Sequence, residues 1–409
     1  MKLHLSGPSN KNLQADITIT GSKSESNRSL LLAALYPNIT IDNLSNSDDA
    51  EVMGKGLKIT KGTVDIHHAG TAMRFLTGYF ASQEGREVVL TGSKRMTERP
   101  IQILVDALRT LGADISYVQN EGYPPIDIKG KKIVKDKVSL PANVSSQYIS
   151  SLLLIAPSLE NGLELQLEGK ITSVPYIKMT LGLLEDIGVQ SSFEGNTIKV
   201  FPKKRITPAT LVVESDWSSA SYFYSIVALS EPSSEITLSA YKKESLQGDS
   251  VLSEIYTAFG VATSFGKNKI TLRKTNKEVL ANHAIDLSNA PDIAQTIAVT
   301  CFGLGIGCHL TGLHTLKIKE TDRLEALDTE LSKLGANISV TDKTLTLSPS
   351  NEIIENVAID TYNDHRMAMA FAPLAMRTTL YVNDAEVVSK SYPDFWVDLE
   401  QLQFSIKEL

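Results

Sequence analysis

The stretch Glu330-Leu-Ser-Lys-Leu-Gly-Ala-Asn-Ile338 decides how the chain is built. Apolar residues at helical spacing lead up to Gly335, and the residues that follow it are typical of a strand. A glycine directly after such a run is the usual left-handed residue that ends a helix. The stretch therefore predicts a helix that ends near Gly335 and a strand after it.

The same pattern occurs around three other glycines of the chain. The segments are Ala107-Leu-Arg-Thr-Leu-Gly-Ala-Asp-Ile115, Leu183-Leu-Glu-Asp-Ile-Gly-Val-Gln190 and Ile255-Tyr-Thr-Ala-Phe-Gly-Val-Ala262. The four glycines, at 112, 188, 260 and 335, are 76, 72 and 75 residues apart. Recurrence at a fixed period is typical of a repeated supersecondary unit, although glycines at helix ends also recur by chance.

Two further segments extend the series to six units, three in each half of the chain. Gly56 fits an earlier, shortened unit between Asp49 and His68, short enough to have lost a helix. At the chain end, Gln401-Leu-Gln-Phe-Ser-Ile406 resembles a helix and a strand without the glycine. The repeat favours a two-lobed α/β protein in which mixed sheets pack on helices.

Composition excludes several classes of protein. The 409 residues are 42% hydrophobic and 21% charged, which excludes disordered and collagen-like chains and suggests two or three domains. A net charge of −7 argues against a general nucleic-acid binder. The cysteines are Cys301 and Cys308, too few to cross-link the chain, which fits a reducing compartment.

Neither a signal peptide nor a membrane span is expected from the sequence. The residues Met1 to Pro8 lack the basic and then apolar pattern of a signal peptide. The most apolar stretch, residues 297–307, is about half of the roughly 20 residues that a spanning helix needs. We therefore predict a cytoplasmic protein.

Six predicted helices begin with small capping residues and side chains suited to an anion. These starts are Gly21-Ser-Lys-Ser-Glu-Ser-Asn-Arg28, Ala69-Gly-Thr-Ala-Met-Arg74, Arg95-Met-Thr-Glu-Arg-Pro100, Val144-Ser-Ser-Gln147, Lys319-Glu-Thr-Asp-Arg323 and Asn363-Asp-His-Arg366. The unpaired N–H groups of a helix start attract anions. Arginines there oppose the helix dipole, so Arg74, Arg99, Arg323 and Arg366 together indicate positive charge held for a ligand.

Each motif alone also has an ordinary structural explanation, and the sequence lacks the motifs of several other enzyme classes. Glu98–Arg99 and Glu320–Arg323 fit surface ion pairs worth less than about 1 kcal/mol. Residues 303–307 lack the spacing of a dinucleotide loop, and a nucleotide P-loop and a Gly-x-Ser-x-Gly elbow are absent from the sequence. The histidines His67 and His68 lack further ligands at metal-binding spacing. We therefore expect neither a metal nor a cofactor.

Taken together, the motifs resemble those of the 5-enolpyruvylshikimate-3-phosphate synthase family, in the family's order from Gly21 to Asp394. The matching segments are Gly21-Ser-Lys-Ser-x-Ser-Asn-Arg28, Ala69-Gly-Thr-Ala-Met-Arg74, Arg95-Met-x-Glu-Arg-Pro100, Val144-Ser-Ser-Gln147, Lys319-Glu-Thr-Asp-Arg323, Tyr362-Asn-Asp-His-Arg-Met-Ala-Met369 and Lys390-Ser-Tyr-Pro-Asp394. One such match is easily accidental, whereas seven in order are specific.

The resemblance implies the enolpyruvyl transferase fold. Each of its two lobes has three βαβαββ units with helices packed inside mixed sheets, and the active site lies in the cleft between the lobes. The first lobe would span residues 22–215, with its first unit shortened, and the second would combine residues 1–21 with 216–409. A cleft built within one chain requires no partner subunit, so we predict a monomer.

The resemblance also implies the reaction and the residues that bind its substrates. The enolpyruvyl group of phosphoenolpyruvate is transferred to the 5-hydroxyl of shikimate 3-phosphate by addition and elimination, on the route to chorismate and the aromatic amino acids. The residues implied for shikimate 3-phosphate are Lys23, Ser24, Arg28, Ser145, Ser146, Gln147, Ser173, Tyr176, Asp292 and Lys319. The residues implied for phosphoenolpyruvate are Lys23, Gly70, Arg99, Gln147, Arg323, Arg366 and Lys390.

Proton transfer in this reaction needs an acid near the phosphoenolpyruvate methylene and a base near the hydroxyl. Glu320 fits the acid and Asp292 the base, with Lys23 assisting, and which carboxylate performs which transfer stays a hypothesis. The sequence departs from the family at His68, where Asn or Asp is usual, and at Thr315, where many relatives have Asn.

Two alternative functions are disfavoured by the sequence. The cell-wall enolpyruvyl transferase that acts on UDP-N-acetylglucosamine shares the fold, but its reactive loop cysteine has no counterpart here. An inactive binding or regulatory descendant is disfavoured because the residues implied for catalysis are all present.

Overall fold

The computed structural model describes residues 1–142, 145–169, 171 and 174–409. These residues divide into two compact units. The inserted unit is Gly21–Val213, and the flanking unit comprises Met1–Thr20 and Glu214–Leu409. The chain thus begins in the flanking unit, builds the whole inserted unit and then returns.

The strands are short. In chain order they are β1 Leu3–Ser6, β2 Gln14–Ile17, β3 Ile39–Asp42, β4 Lys61–Asp65, β5 Glu87–Thr91, β6 Asp114–Tyr117, β7 Ile126–Lys129, β8 Lys137–Pro141, β9 Leu163–Glu168, β10 Ser191–Glu194, β11 Thr197–Val200, β12 Ala209–Val212, β13 Glu235–Ser239, β14 Val261–Gly266, β15 Lys269–Lys274, β16 Asn282–Asp286, β17 Gly307–Thr311, β18 Ile338–Val340, β19 Leu345–Leu347, β20 Val357–Ile359, β21 Leu380–Val382 and β22 Ser405–Glu408.

The helices alternate with these strands along the chain. They are α1 Lys23–Leu35, α2 Asp48–Gly56, α3 Gly70–Ser82, α4 Lys94–Thr97, α5 Gln102–Leu111, α6 Ser146–Ile155, α7 Val174–Asp186, α8 Trp217–Leu229, α9 Leu252–Ile255, α10 Ala294–Leu304, α11 Arg323–Lys333, α12 His365–Phe371 and α13 Phe395–Gln401. Short 3₁₀ turns at Gly248–Val251, Pro291–Ile293 and Leu316–Ile318 also bear on the site.

Five four-stranded sheets of the described chain share one strand order. In the sheet β4-β5-β7-β6, the first two strands are parallel and the last two form an antiparallel hairpin whose second strand pairs with β5. The sheets β8 to β11 and β16 to β19 repeat this order. In the flanking unit, β2 completes the sheet of β13 to β15, and β1 completes that of β20 to β22. The predicted fold class of repeated βαβαββ units is therefore confirmed.

The sixth sheet corrects the prediction for the shortened unit. It contains only β3 and β12, paired in parallel, among the described residues. The helix that the sequence analysis expected to be lost is present as α2, and the two strands of the hairpin are what this unit lacks in the described chain. Gly56 is the last residue of α2 and is followed by the right-handed Leu57, so it does not terminate the helix in the predicted way.

The other four glycines of the repeat adopt the predicted backbone conformation. The φ angles of Gly112, Gly188, Gly260 and Gly335 are 109°, 75°, 78° and 97°. Each follows a helical run, as a left-handed helix terminator should. At the chain end, Gln403 has a φ of 64° in the equivalent place after α13.

The predicted helix starts are confirmed for α1, α3, α6, α11 and α12. The motif at 95–100 differs, because a short helix, α4, lies within it and α5 begins at Gln102. Arg99 therefore lies in the turn between two helices and not in a first helical turn.

The helices between the sheets are buried on nearly every face, which requires close packing. Within the inserted unit, the Ser151 hydroxyl of α6 donates to the Arg74 carbonyl of α3 at 2.7 Å. A Cβ on Gly78 would lie 2.5 Å from that hydroxyl oxygen. In the flanking unit, Thr300 of α10 donates to Ser225 of α8 at 2.8 Å. Small residues allow this approach, and hydroxyl pairs satisfy the buried polar groups.

We expect Gly78→Ala to destabilise the protein by about 1–3 kcal/mol, because the added methyl group overpacks the contact between α3 and α6. The matched control is Gly54→Ala in the interior of α2, where the nearest atom to an added Cβ is 4.0 Å away. That control should stabilise by about 0.5–1 kcal/mol through the higher helix propensity of alanine. Urea unfolding measures both, and equal effects of the two substitutions would contradict the packing described for α3 and α6.

Candidate active site

In the inserted unit, the start of α1 places a lysine beside a buried carboxylate. Lys23 is the first residue of α1, and its Nζ lies 3.8 Å from the carboxylate of Asp49. Asp49 lies in the first turn of α2, whose cap is the hydroxyl of Ser47. The two helix starts therefore form one polar cluster, and the sequence analysis missed Asp49 in it.

Arg28, one turn further along α1, is almost completely buried. Its guanidinium donates to the Ser24 carbonyl at 2.7 Å, the Ser150 hydroxyl at 2.9 Å and the Thr180 hydroxyl at 2.8 Å. Its Cζ lies 5.9 Å from the ring centroid of Tyr176. Burial lowers the pKa of Arg28 to about 10, so it stays charged at neutral pH while hydrogen-bonded to uncharged oxygens. Such a cation favours an incoming anion.

Gly70 and Arg99 lie in contact at the start of α3. A Cβ on Gly70 would be 2.8 Å from Nη1 of Arg99, so only glycine leaves this guanidinium in place. Beneath them, Arg74 donates to the carbonyls of Gly70 at 3.3 Å and Pro100 at 3.1 Å. Arg74 was predicted to provide positive charge for a ligand. In the structure it instead links the start of α3 to the segment that carries Arg99.

The start of α6 lies beside that of α3. The Ser145 hydroxyl caps α6 by accepting from the Gln147 backbone N–H, and Ser146 is the first helical residue. The Gln147 side-chain amide donates to the Thr71 hydroxyl at 3.1 Å. Ser173, which is also predicted to bind shikimate 3-phosphate, lies outside the described residues.

In the flanking unit, the predicted residues gather around the buried guanidinium of Arg323. It donates to Asp292 at 2.8 Å, Glu320 at 2.9 Å and Asp364 at 2.7 Å. Burial opposes the charge, but the carboxylates of Asp364, Glu320 and Asp292 together raise the pKa of Arg323 above its ordinary value. Arg323 is the first residue of α11, whose cap is Asp322.

Asp292 is shared by three cations. It lies in the 3₁₀ turn before α10, and its carboxylate is 2.8 Å from Arg323, 3.3 Å from Lys319 and 3.6 Å from Arg366. Arg366 lies in the first turn of α12, and its backbone N–H is capped by Asp364 at 2.9 Å. Residues from two separate predicted motifs, 319–323 and 362–369, thus meet at one carboxylate.

Lys390 is linked to this cluster through the chain before α12. Its Nζ donates to the carbonyl of Asn363 at 2.5 Å. Asn363 and Tyr362 have φ angles of 55° and 53°, a strained left-handed pair directly before Asp364. The Tyr362 hydroxyl donates to the buried Glu330 at 2.5 Å.

The structure thus brings together Lys23, Ser24, Arg28, Gly70, Arg99, Ser145, Ser146, Gln147 and Tyr176 around helix starts of the inserted unit, and Asp292, Lys319, Glu320, Arg323, Arg366 and Lys390 in the flanking unit. Asp364 was missed, although its motif was quoted, because only the neighbouring arginine was considered. Its place as an acidic cap before a helical run is visible in the sequence, whereas its pairing with Arg323 follows from the fold alone.

The two departures from the family pattern have different surroundings. His68 directly precedes the turn into α3 and is partly buried. The Thr315 hydroxyl is buried without a hydrogen-bond partner in the described parts of the chain. No group of three or more potential metal-binding side chains occurs among residues 1–142, 145–169, 171 and 174–409.

Comparison with known proteins identifies the family. The family model described as EPSP synthase (3-phosphoshikimate 1-carboxyvinyltransferase) matches residues 8–65 and 55–399. A 3-phosphoshikimate 1-carboxyvinyltransferase of Bacteroides fragilis (strain YCH46) is 46% identical over 412 residues, which cover 100% of this chain and 99% of the relative. The chain belongs to the EPSP synthase family. It is accordingly a transferase of the shikimate pathway that moves the enolpyruvyl group of phosphoenolpyruvate to the 5-hydroxyl of shikimate 3-phosphate.

Solved structures support the fold. An EPSP synthase from Acinetobacter baumannii superposes with a TM-score of 0.80 at 21% identity, over 100% of both chains. The enolpyruvyl transferase NikO from Streptomyces tendae gives a TM-score of 0.74 at 13% identity, over 99% of this chain and 98% of its own. In the described chain, every helix is too short or too polar to cross a membrane.

We expect Asp364→Asn to destabilise the protein by about 3 kcal/mol, because it removes a buried partner of Arg323 while retaining the volume of the side chain. The matched control is Asp342→Asn, whose carboxylate pairs with Lys317 but is 80% exposed. That control should leave stability unchanged. Urea unfolding of both variants measures the difference, and a neutral Asp364→Asn would show that Arg323 does not depend on this carboxylate.

Proposed function

We propose that each substrate of the EPSP synthase reaction is bound by its own set of the predicted residues. Shikimate 3-phosphate is held by Lys23, Ser24, Arg28, Ser145, Ser146, Gln147, Ser173, Tyr176, Asp292 and Lys319. Phosphoenolpyruvate is held by Lys23, Gly70, Arg99, Gln147, Arg323, Arg366 and Lys390. Both substrates carry phosphate and carboxylate groups, for which arginine side chains and helix starts are suited.

The observation that carries the proposal is the arrangement around Asp292. Three carboxylates, of Asp292, Glu320 and Asp364, and three cations, of Lys319, Arg323 and Arg366, are joined by ion pairs of 3.6 Å or less. An ordinary structural ion pair needs two groups, whereas here Lys319 and Arg366 join an arginine that is already paired with three carboxylates. Lys319 and Arg366, at the edge of the cluster, are the groups available to an anionic substrate.

The chemistry follows from these positions. Asp292 contacts Lys319, which is assigned to shikimate 3-phosphate, so Asp292 accepts the proton of the 5-hydroxyl as its oxygen attacks the central carbon of phosphoenolpyruvate. Glu320 contacts Arg323, assigned to phosphoenolpyruvate, and delivers a proton to the methylene carbon. In the second step, Glu320 takes a proton back from the new methyl group, the carbon–oxygen bond to phosphate breaks, and the phosphate takes the proton from Asp292. Lys23 assists by neutralising charge on the adduct.

We expect Glu320→Gln to lower kcat by about 100-fold or more, because glutamine cannot transfer the proton. The matched control, Glu325→Gln, changes an exposed glutamate in the first turn of α11 and should retain full activity. Phosphate release from phosphoenolpyruvate and shikimate 3-phosphate is the assay. Full turnover of Glu320→Gln, or loss of substrate binding alone, would refute the proposed acid.

We expect Gly70→Ala to raise KM for phosphoenolpyruvate about tenfold or more, since its methyl group displaces the Arg99 guanidinium from a substrate-binding position. KM for shikimate 3-phosphate should change by less than about twofold. Steady-state kinetics with each substrate varied in turn measures both constants. Equal increases in the two would indicate a general disturbance of the α3 start and contradict this role of Gly70.

Two rival functions predict other results in the same assay. Both cysteines are buried in the described structure, so neither is available as the reactive cysteine of the transferase that acts on UDP-N-acetylglucosamine. Phosphate release with UDP-N-acetylglucosamine but not shikimate 3-phosphate would nevertheless favour that transferase. Absence of turnover at any concentration would favour a binding protein.

We further propose that the chain acts as a monomer in the cytoplasm. Light scattering of the purified protein tests the oligomeric state, and cell fractionation tests the location.

A further inference from the structure

A partly buried hydrogen-bond chain in the flanking unit connects Arg366 to the buried carboxylate of Asp249. The Arg366 guanidinium donates through Nη2 to the Ser218 hydroxyl at 3.2 Å. That hydroxyl in turn donates to the carboxylate of Asp249. Ser218 lies in the first turn of α8, and Asp249 lies in the 3₁₀ turn Gly248–Val251.

The turn that carries Asp249 is fixed against the start of α8. The side chain of Gln247 accepts from the Trp217 backbone N–H at 2.9 Å and donates to the Ser215 carbonyl at 3.0 Å. These two bonds tie Gln247, two residues before Asp249, to Ser215 and Trp217, which precede Ser218. The carboxylate is therefore placed by the backbone and is not a mobile surface group.

Arg366 also has a competing partner, Asp292. Its Nη1 donates to the Asp292 carbonyl at 3.3 Å, and its Nη2 is 3.6 Å from the Asp292 carboxylate. If Nη2 lost the Ser218 hydroxyl, the Asp292 carboxylate would be its nearest remaining acceptor among these groups. The guanidinium would then turn toward the proposed catalytic base and away from the orientation that the structure shows.

We propose that Asp249, acting through the hydroxyl of Ser218, is a positioning residue that holds the Arg366 guanidinium ready for phosphoenolpyruvate and apart from the Asp292 carboxylate. The inference rests on the proposed role of Arg366 in binding phosphoenolpyruvate. It adds two residues that none of the motifs in the sequence contains.

The electrostatics of Asp249 distinguish this role from a purely structural one. Burial, with further contributions from Asp292 and Asp216, raises the pKa of Asp249 to about 7, although Arg366 and Ser218 oppose the shift. A carboxyl whose pKa is raised on folding destabilises the folded state once the pH exceeds its unfolded pKa. At pH 8, removing this charge should therefore maintain or increase stability, whereas removing a structural partner would decrease it.

The decisive experiment compares Asp249→Asn, Ser218→Ala and Ser218→Thr in steady-state kinetics at pH 8. The first two should raise KM for phosphoenolpyruvate about tenfold, while kcat and KM for shikimate 3-phosphate change by less than about threefold. Ser218→Thr retains the hydroxyl and should restore KM to within about threefold of the unchanged protein. Unchanged KM values in Asp249→Asn and Ser218→Ala would overturn the proposal.

A second arm uses Arg366→Lys as the background. If Asp249 acts through Arg366, Asp249→Asn should raise KM less in this background than in the unchanged protein, because the coupled partner has already been altered. Full additivity would overturn the proposal. If Arg366→Lys alone leaves KM for phosphoenolpyruvate unchanged, the proposed function of Arg366 fails and this inference fails with it. If Arg366→Lys raises KM but Asp249→Asn does not, only the inference fails.

The matched control is Asp398→Asn, which changes another buried carboxylate of the flanking unit. Asp398 accepts from Tyr392 and from the Gln401 side chain, and neither of these partners is assigned to a substrate. Its kinetic constants should be unchanged. The thermal midpoint of Asp249→Asn at pH 8 should be unchanged or higher, and a lower midpoint with an unchanged KM would identify Asp249 as structural and overturn the proposal.

Discussion

The flanking unit depends on one buried charge, the guanidinium of Arg323. Removing an arginine from water is unfavourable unless its donors and its charge are matched. Asp292, Glu320 and Asp364 provide that match, and they stand before α10, before α11 and at the cap of α12. The interaction therefore fixes three helix starts to one another. Because three carboxylates exceed one cation, the cluster in turn holds Lys319 and Arg366 near Asp292.

The inserted unit handles buried charge differently. Arg28 and Arg74 donate to carbonyl and hydroxyl oxygens and, for Arg74, a methionine sulfur, and burial lowers the pKa of each to about 10. Uncharged hydrogen-bond partners satisfy the donors of a guanidinium but do not balance its charge, and the attraction of the nearby Glu25 offsets the burial of Arg28 only in part. A phosphate or carboxylate placed next to Arg28 would restore the balance, which is the physical reason to expect anion binding at the start of α1. The chain has a net charge of −7, so this local positive charge results from where the fold positions the arginines and not from the overall composition.

The sequence predicts those features that local chemistry determines. Gly112 and Gly335 are left-handed because a helix has to end at them, and Lys23, Gly70 and Arg323 lie at helix starts because small or acidic caps precede an apolar run. The missing hairpin of the sixth sheet was not predictable, since a shortened repeat does not tell which elements it lacks. Asp249 and Asp364 were missed for another reason: their partners Ser218 and Arg323 lie 31 and 41 residues away, so the fold alone brings them together. The lobe boundaries and the assignment of substrates to residues stay predictions.

The inner helices explain why so many polar residues collect at helix starts. In α8, α10 and α3, nearly every position is buried, so a polar residue in the middle of these helices needs a partner on a neighbouring helix, as Ser225 of α8 provides for Thr300 of α10 at 2.8 Å. Only the first turn leaves N–H groups unpaired and therefore accommodates charged ligands without breaking an internal bond. A protein built from repeated βαβαββ units thus acquires one anion-attracting end for each inner helix. The chemistry then depends on the side chains at those starts. In the flanking unit, Ser218 and Arg366 lie in the first turns of α8 and α12, and Asp292 lies in the 3₁₀ turn directly before α10.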